Sequence, residues 1–148
     1  MSSDNGEHVL ICVAWPYANG PLHLGHVAGC YLPPDIQARF ERARGNKVLM
    51  VSGSDEHGTP ITVTAEQEGV SPQDIVDKFH KINSKALIDL GCSWEPNIDP
   101  RGIDFGGSLF NRTSDDKHKE IVRENFSKLL DAGLFERKTM QQLSLIHI

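Results

Sequence analysis

The 148-residue sequence has only three cysteines, Cys12, Cys30 and Cys92, odd in number and widely spaced. No Cys-x-x-Cys pair occurs, so neither a disulfide framework nor a zinc knuckle is indicated; the thiols read as buried groups in a reducing compartment. Positive charge is in deficit, with 15 Lys and Arg against 20 Asp and Glu and a formal net charge of -5. No basic surface announces nucleic acid, and any such contact would need a local patch or residues outside this chain. No apolar run approaches membrane-spanning length, and the polar start Met1 to His8 does not read as a signal peptide. The expected location is the cytoplasm, where the Asn-x-Ser/Thr triplets at Asn111 and Asn125 carry no meaning. The length suits about one domain with a buried core.

What the chain does have is a dense stretch from Ala14 to His26, Ala-Trp-Pro-Tyr-Ala-Asn-Gly-Pro-Leu-His-Leu-Gly-His. The run Val9–Val13 before it is apolar or β-branched and predicts a strand. Pro16, Asn19, Gly20 and Pro21 then break regular structure and force a loop. A helical pattern follows, with His23 and His26 in its first turn. That spacing puts both imidazoles on one face, beside unpaired backbone N–H groups and the positive end of the helix dipole. Gly25 lies between them without a side chain, so a flat ligand could approach the backbone. Donors, positive field and bare backbone together describe a phosphate-plus-base site at a strand–loop–helix turn.

The helix opening at Leu22 is predicted to run to about Arg44 and to end at Gly45, with Pro33 and Pro34 kinking or splitting it. Past the prolines, Ile36 and Phe40 stand at i, i+4 among charges and define an amphipathic face. Lys47 to Ser52 is a continuous apolar run, as expected of a strand buried on both faces of a parallel sheet. Strand, crossover helix and strand make one βαβ unit of nearly fixed handedness. Gly-Ser-Asp-Glu-His-Gly, Gly53 to Gly58, follows at once. Loops at the carboxyl ends of parallel strands line the ligand crevice, so Asp55 and His57 fall on the same rim as the histidine pair.

Thr59 and Pro60 read as N-cap and first residue of a helix that Gly69 stops. Ser71 and Pro72 open another, carrying Ile75, Phe79, Ile82 and Leu87 to about Leu90. Cys92 to Gly107 reads as an irregular connection and Ser108–Phe110 as a short strand. Thr113, Ser114 and Asp115 offer a cap for a helix to Ala132 with Ile121, Phe126, Leu129 and Leu130 apolar. Leu134–Lys138 is predicted as a last strand. Residues 143–148 follow no cap and complete no element; they read as a non-native tail and are excluded from fold and function.

The Ala14–His26 stretch resembles the first signature, His-x-Gly-His, of the class I aminoacyl-tRNA synthetases, and its first seven residues are most similar to the methionyl branch. Gly53–Pro60 also resembles that branch, at the place where the family has it, and the resemblance covers roughly Val9 to Gln142. It implies an α/β fold over residues 1–142, the amino-terminal half of a doubly wound, parallel-sheet, Rossmann-type catalytic domain. It implies that methionine carboxylate attacks the α-phosphate of ATP, with Mg2+ present, and that the methionyl group then passes from the adenylate to tRNA(Met). Carried over by position, His23 and His26 are catalytic and stabilise charge on the phosphates as pyrophosphate leaves, while Asn19 and Gly25 lie beside ATP. Asp55 matches the carboxylate that pairs with the methionine ammonium group, and Ala14, Trp15 and Tyr17 match the first wall of the methionine pocket. Trp15 departs modestly, since some relatives carry Leu there.

The family's second signature, Lys-Met-Ser-Lys-Ser, is not in this chain, nor are the zinc-knuckle insertion, the later strands and the anticodon-binding helices. The expectation is an amino-terminal piece, inactive by itself. Zinc belongs only to the missing insertion, and contacts to tRNA lie mostly in absent parts. Two alternatives stand beside it. Another nucleotidyl transferase with the same histidine turn would leave Gly53–Pro60 unaccounted for, and a non-catalytic methionine- and ATP-binding relative would lack the second signature downstream.

Overall fold

A computed structural model describes residues 6–93 and 110–139. Strand β1 (His8–Cys12) and strand β2 (Lys47–Ser54) pair in parallel, in the register His8↔Lys47 to Cys12↔Val51. Strand β3 (Phe110–Arg112) joins the other edge of β2, also parallel, from Ser52↔Phe110 to Ser54↔Arg112. The order β1-β2-β3 places the polar carboxyl end of β2 in the middle of the sheet. Of the predicted strand Ser108–Phe110, Phe110 lies in β3, which continues to Arg112; Ser108 and Leu109 lie outside the described residues.

The crossover between β1 and β2 is helical, and its regular winding is interrupted just before the prolines. A single turn α1 (Leu24–His26) leads into a π-helical turn, Val27–Tyr31, and then α2 (Leu32–Ala43). The N–H of Leu32 donates to the carbonyl of Val27, five residues back. Pro33 and Pro34, which have no N–H to give, occupy the opening of α2, so the wide turn absorbs the missing donors and the helix is not split. Gly45, at φ 88, ends this crossover, as predicted.

The predicted amphipathic face of α2 is reversed. Ile36 and Phe40 are 64% and 55% exposed, and the buried side carries Asp35, Ala38 and Glu41. Each carboxylate has its own donors. Asp35 accepts from the Ser93 N–H (2.6 Å) and from Arg39 Nε (2.7 Å), and Glu41 accepts from Gln37 (2.8 Å) and Asn46 (2.6 Å). Those bonds hold the Asp35 carboxyl below the usual carboxylate range, although burial alone would push it up. Burial here follows hydrogen-bond supply, not hydropathy.

Helix α3 (Thr59–Glu68) and helix α4 (Pro72–Asp89) follow β2. Ser71 caps α4 reciprocally with Asp74, as the Ser-Pro pair predicts. The cap of α3 is shifted: Gly58 is the N-cap, at φ 133, and Thr59 is already the first helical residue. Only glycine takes that conformation without strain. Along α4 the buried positions are Ile75, Val76, Phe79, Asn83 and Leu87, while Ile82, predicted to be core, is exposed.

Among the described residues two clusters form the core. Val13, Tyr31, Ala38, Met50, Leu87, Cys92 and Phe110 pack on the face of the sheet that α2 covers. Ala18, Ile61, Ala65, Ile75, Val76 and Phe79 make a second cluster, in which the first loop inserts Ala18 between α3 and α4. The opposite face of the sheet shows the cross-strand pair Leu10 and Leu49, with Leu10 62% exposed, so β2 is buried on both faces only toward its carboxyl end. Of the three free thiols, Cys92 is buried as expected, Cys30 is half-buried and Cys12 is exposed. Cys12 is the last residue of β1, where the alternation turns it away from the core.

The chain divides into two compact units, Met1–Asp115 and Asp116–Ile148. In the second, α5 (Asp116–Asp131) forms as predicted, with none of its residues buried. The strand predicted at Leu134–Lys138 does not form. Gly133, at φ 69, ends the helix, and the Leu134 N–H donates to the Leu129 carbonyl at 3.1 Å, closing a helix cap instead of a ladder. Phe135 stacks on Phe126 with ring centroids 4.8 Å apart. The proposed irregular connection from residue 94 on and the tail at 143–148 lie outside the described residues.

Candidate active site

The loop after β1 runs alongside the loop after β2 and is bonded to it step by step. Val13 N–H donates to the Val51 carbonyl (2.8 Å), Asp55 N–H to Pro16 (2.8 Å) and Ala18 N–H to Asp55 (2.9 Å). Tyr17 and Asp55 form a parallel bridge that extends the sheet beyond its strands. The carbonyl of Ala14 accepts from the Ser52 hydroxyl (2.9 Å) and the Tyr31 hydroxyl (3.4 Å). Burial and the neighbouring Cys30 push the Tyr31 phenol up, so it stays a neutral donor. The two motifs read from the sequence thus meet on one rim.

Trp15 is half-buried and its ring lies against the backbone of β2. A Cβ at Gly53 would fall 2.6 Å from Trp15 Cζ3 and 2.2 Å from the Asn111 carbonyl oxygen. Gly53 is therefore needed both for the Trp15 seat and for the approach of β3. Tyr17 is 50% exposed, with Cε1 3.6 Å from where a Gly58 Cβ would stand. Ala14 is exposed, and Asn19 and Asp55 are half-buried.

His23 and His26 cap each other. His26 N–H donates to His23 Nδ1 and His23 N–H donates to His26 Nδ1, both at 3.3 Å. The rings stack with centroids 3.7 Å apart and planes 21° from parallel. Because each Nδ1 accepts, the proton of the neutral ring falls to Nε2 in both. The pair thus presents two Nε2 donors from one helix start. Gly25 serves the rings more than it opens the backbone: a Cβ there would stand 3.1 Å from Nδ1 and Cε1 of His23.

Two residues that the sequence does not single out hold this rim. Asn83, 1% exposed on α4, accepts from the Leu22 N–H (3.0 Å) and donates to the Gly20 carbonyl (3.1 Å). It clamps the loop just before His23 from more than sixty residues away, and its only signal is a polar side chain at a core position of α4. Glu56, adjacent to Asp55, is the other. Its side chain is fully buried and accepts from Arg112 Nε (2.7 Å) and from the Ser114 hydroxyl. Its N–H donates to Thr113 Oγ1 (2.8 Å), so Thr113 and Ser114, predicted as helix caps, are engaged by Glu56.

Arg112 also binds Asp77 on α4, and His80 Nδ1 lies 2.8 Å from Ser54 Oγ and 3.8 Å from Glu56. Burial, with the Arg112 charge beside it, pushes the His80 imidazole below its ordinary value, against the pull of Glu56 and Asp77. Asp77 is held below the usual carboxylate range by its bond from Arg112. The sign follows for both. On acidification through the ordinary histidine range, near pH 6.5, the unfolded chain takes up a proton that folded His80 refuses, so stability falls. Asp77 adds a second loss below the ordinary aspartate range. Urea midpoints are expected to fall between pH 7.5 and 5.5, and His80→Gln is expected to flatten that slope; an unchanged slope in the variant would place the sensitivity elsewhere.

Among the described residues no group of three His, Cys, Asp or Glu side chains could hold a metal ion, and no helix is long and apolar enough to cross a membrane. The arrangement that does emerge is a parallel α/β sheet whose first loop delivers a histidine pair and whose second delivers a carboxylate to the same rim. That arrangement is the Rossmann-type fold of a nucleotide-binding catalytic domain. A family model described as tRNA synthetases class I (M) matches residues 9–146, and the chain belongs to that family.

Within it, the similar curated proteins are methionine–tRNA ligases. Those of Roseiflexus sp. and Bifidobacterium longum are 46% and 47% identical over 134 and 135 residues, 90% and 91% of this chain. The chain spans about a fifth of the length of these relatives. Among solved structures, the Mycobacterium tuberculosis methionyl-tRNA synthetase in complex with methionyl-adenylate matches with a TM-score of 0.73 and 25% identity, over 86% of this chain and 22% of that one. An Agrobacterium radiobacter LeuRS–tRNA–LeuAMS ternary complex matches with a TM-score of 0.71 and 25% identity, over 90% of this chain and 16% of that one.

Proposed function

We propose that this chain supplies the nucleotide- and methionine-binding rim of a methionine–tRNA ligase acting in the cytoplasm. The methionine carboxylate attacks the α-phosphate of ATP, pyrophosphate leaves, and the methionyl group of the adenylate passes to tRNA(Met). The bonds that tie Tyr17 and Asp55 across the two loops carry this reading, because they bring an ammonium-binding carboxylate beside the loop that leads to the histidines.

His23 and His26 offer Nε2 donors to the charge that builds on the phosphates, which is electrostatic stabilisation by groups already in place. Asn19 and the bare Gly25 border the nucleotide. Ala14, Trp15 and Tyr17 form the first wall for the methionine side chain, and Asp55 takes the ammonium group. Mg2+, carried on the triphosphate, would neutralise part of the phosphate charge.

A chimera tests the reading: this chain replaces the matching fifth of the Bifidobacterium longum ligase, and methionine-dependent pyrophosphate exchange is measured. Exchange well above background supports a catalytic role, whereas binding of methionine and ATP without exchange makes the segment a binding module. In the active chimera, Asp55→Asn is expected to weaken methioninol binding by roughly 10- to 100-fold, the worth of a charge-assisted hydrogen bond of about 1.5–3 kcal/mol. Methioninol keeps the ammonium group and side chain but lacks the reacting carboxylate. Calorimetry showing unchanged affinity with a lowered melting temperature would leave Asp55 only a fold role.

A further inference from the structure

The Asp55 carboxylate has little of its own to hold it. Among the described residues its carboxylate accepts one hydrogen bond, a long one of 3.5 Å from the His57 N–H. An ionised carboxylate offers about four acceptor sites, so most of its capacity is open, as a substrate-binding group requires. Its direction must therefore come from the backbone that bears it. On one side that backbone is tied to the first loop, through the N–H to Pro16 and the carbonyl to Ala18. On the other it is tied by the next residue, Glu56, whose N–H reaches Thr113 and whose carboxylate is buried against Arg112 and Ser114. Just past the end of β2 the Glu56 side chain is fully buried while its neighbour Asp55 is half-buried, so fixing Glu56 fixes the backbone from which the Asp55 carboxylate projects.

A buried ion pair needs a reason at such a place. Apolar residues of like volume commonly make a fold as stable or more so, and nothing about the sheet requires a carboxylate beneath its rim. The network also reaches beyond one pair: Arg112 is held on its far side by Asp77, and Asp77 by Gln73 at 2.9 Å, both on α4. It thereby fastens the β2 loop to two elements at once.

We propose that Glu56 is a positioning residue, which through Arg112 and Thr113 aims the Asp55 carboxylate at the substrate ammonium group. The inference rests on the proposed substrate role of Asp55 and deepens it. Misplacement of a binding group by about 1 Å can cost up to roughly 10²-fold. In the full-length chimera, Glu56→Gln is expected to weaken methioninol binding about tenfold and to leave ATP affinity within about twofold, a split that general loosening of the fold would not produce. Asn46→Ala, at the opposite end of β2, serves as the control for lost stability without a change at the rim.

The two variants are then combined. If Glu56 acts through Asp55, Glu56→Gln adds little in an Asp55→Asn background, because coupled residues are not additive. Should Asp55→Asn weaken methioninol binding while Glu56→Gln lowers only the melting temperature, the positioning role is overturned and the Asp55 reading survives. Should Asp55→Asn itself leave methioninol affinity unchanged, both fall. Additive losses from the two substitutions would also sink the inference, since Glu56 would then act independently of Asp55.

Discussion

Arg112→Met is expected to cost the folded chain about 3–5 kcal/mol, the range seen when one partner of a buried ion pair is removed. Two features place it there. The Glu56 side chain left behind is fully buried, and the lost guanidinium also bridges to Asp77, so β3 and α4 lose their common tie. Native domains are stable by only about 5–15 kcal/mol, so a large share of the fold is at stake. The double variant Arg112→Met with Glu56→Gln removes the stranded charge and is expected to recover much of the loss. Urea unfolding of the two variants checks this; equal stability in single and double variants would mean that the buried charge is not what the substitution exposes.

His26→Ala in the active chimera is expected to slow adenylate formation by roughly 10²–10³-fold, the effect of removing one preorganised donor to developing charge, about 2.7–4 kcal/mol in the barrier. Methioninol affinity is expected to change little. The reciprocal cap complicates the alanine variant, because His26 Nδ1 also accepts from the His23 N–H. Two further variants separate the roles. Asn in place of His26 keeps an acceptor near Nδ1 and loses the outer donor; Gln reaches the Nε2 position and loses the cap. If Nε2 is the working atom, Gln recovers rate and Asn recovers only stability. Recovery of rate by Asn would make His26 a helix-start residue whose chemistry is confined to the cap, worth about 0.5–2 kcal/mol of stability.

Much of the rim was legible before any coordinates. The apolar runs of β1 and β2 are bounded by Gly and Pro, and a parallel pair leaves its loops at one end, so Asp55 and the histidines had to share a rim. The helix stops at Gly45 and Gly69 were equally plain, and both glycines have a positive φ. Illegible were residues whose partners lie far off in sequence. Asn83 finds Gly20 and Leu22, Glu56 finds Arg112, and Asp35 finds Ser93, each across more than fifty residues. Local hydropathy has no account of such pairs, which is why Ile36 and Phe40 were assigned to the wrong side of α2. Leu134–Lys138 failed for another reason: strand propensity is fulfilled only where a ladder partner exists, and the Leu134 N–H was already claimed by the end of α5.

The wide turn at Val27–Tyr31 has a consequence for how the two ends of the crossover helix are set. A π-helical turn accommodates one residue more than an α-helical one, and one residue is about 100° of rotation at 3.6 residues per turn. The helix therefore changes phase between the histidines and Asp35, Ala38 and Glu41. In an unbroken α-helix, the direction of His23 and His26 and the direction of the packed side of α2 would be a single variable. Here they are two, so residues facing the core can be refitted without swinging the histidines off the rim. Deleting one residue inside the turn would merge the variables again, and either the packing or the donor pair would point the wrong way.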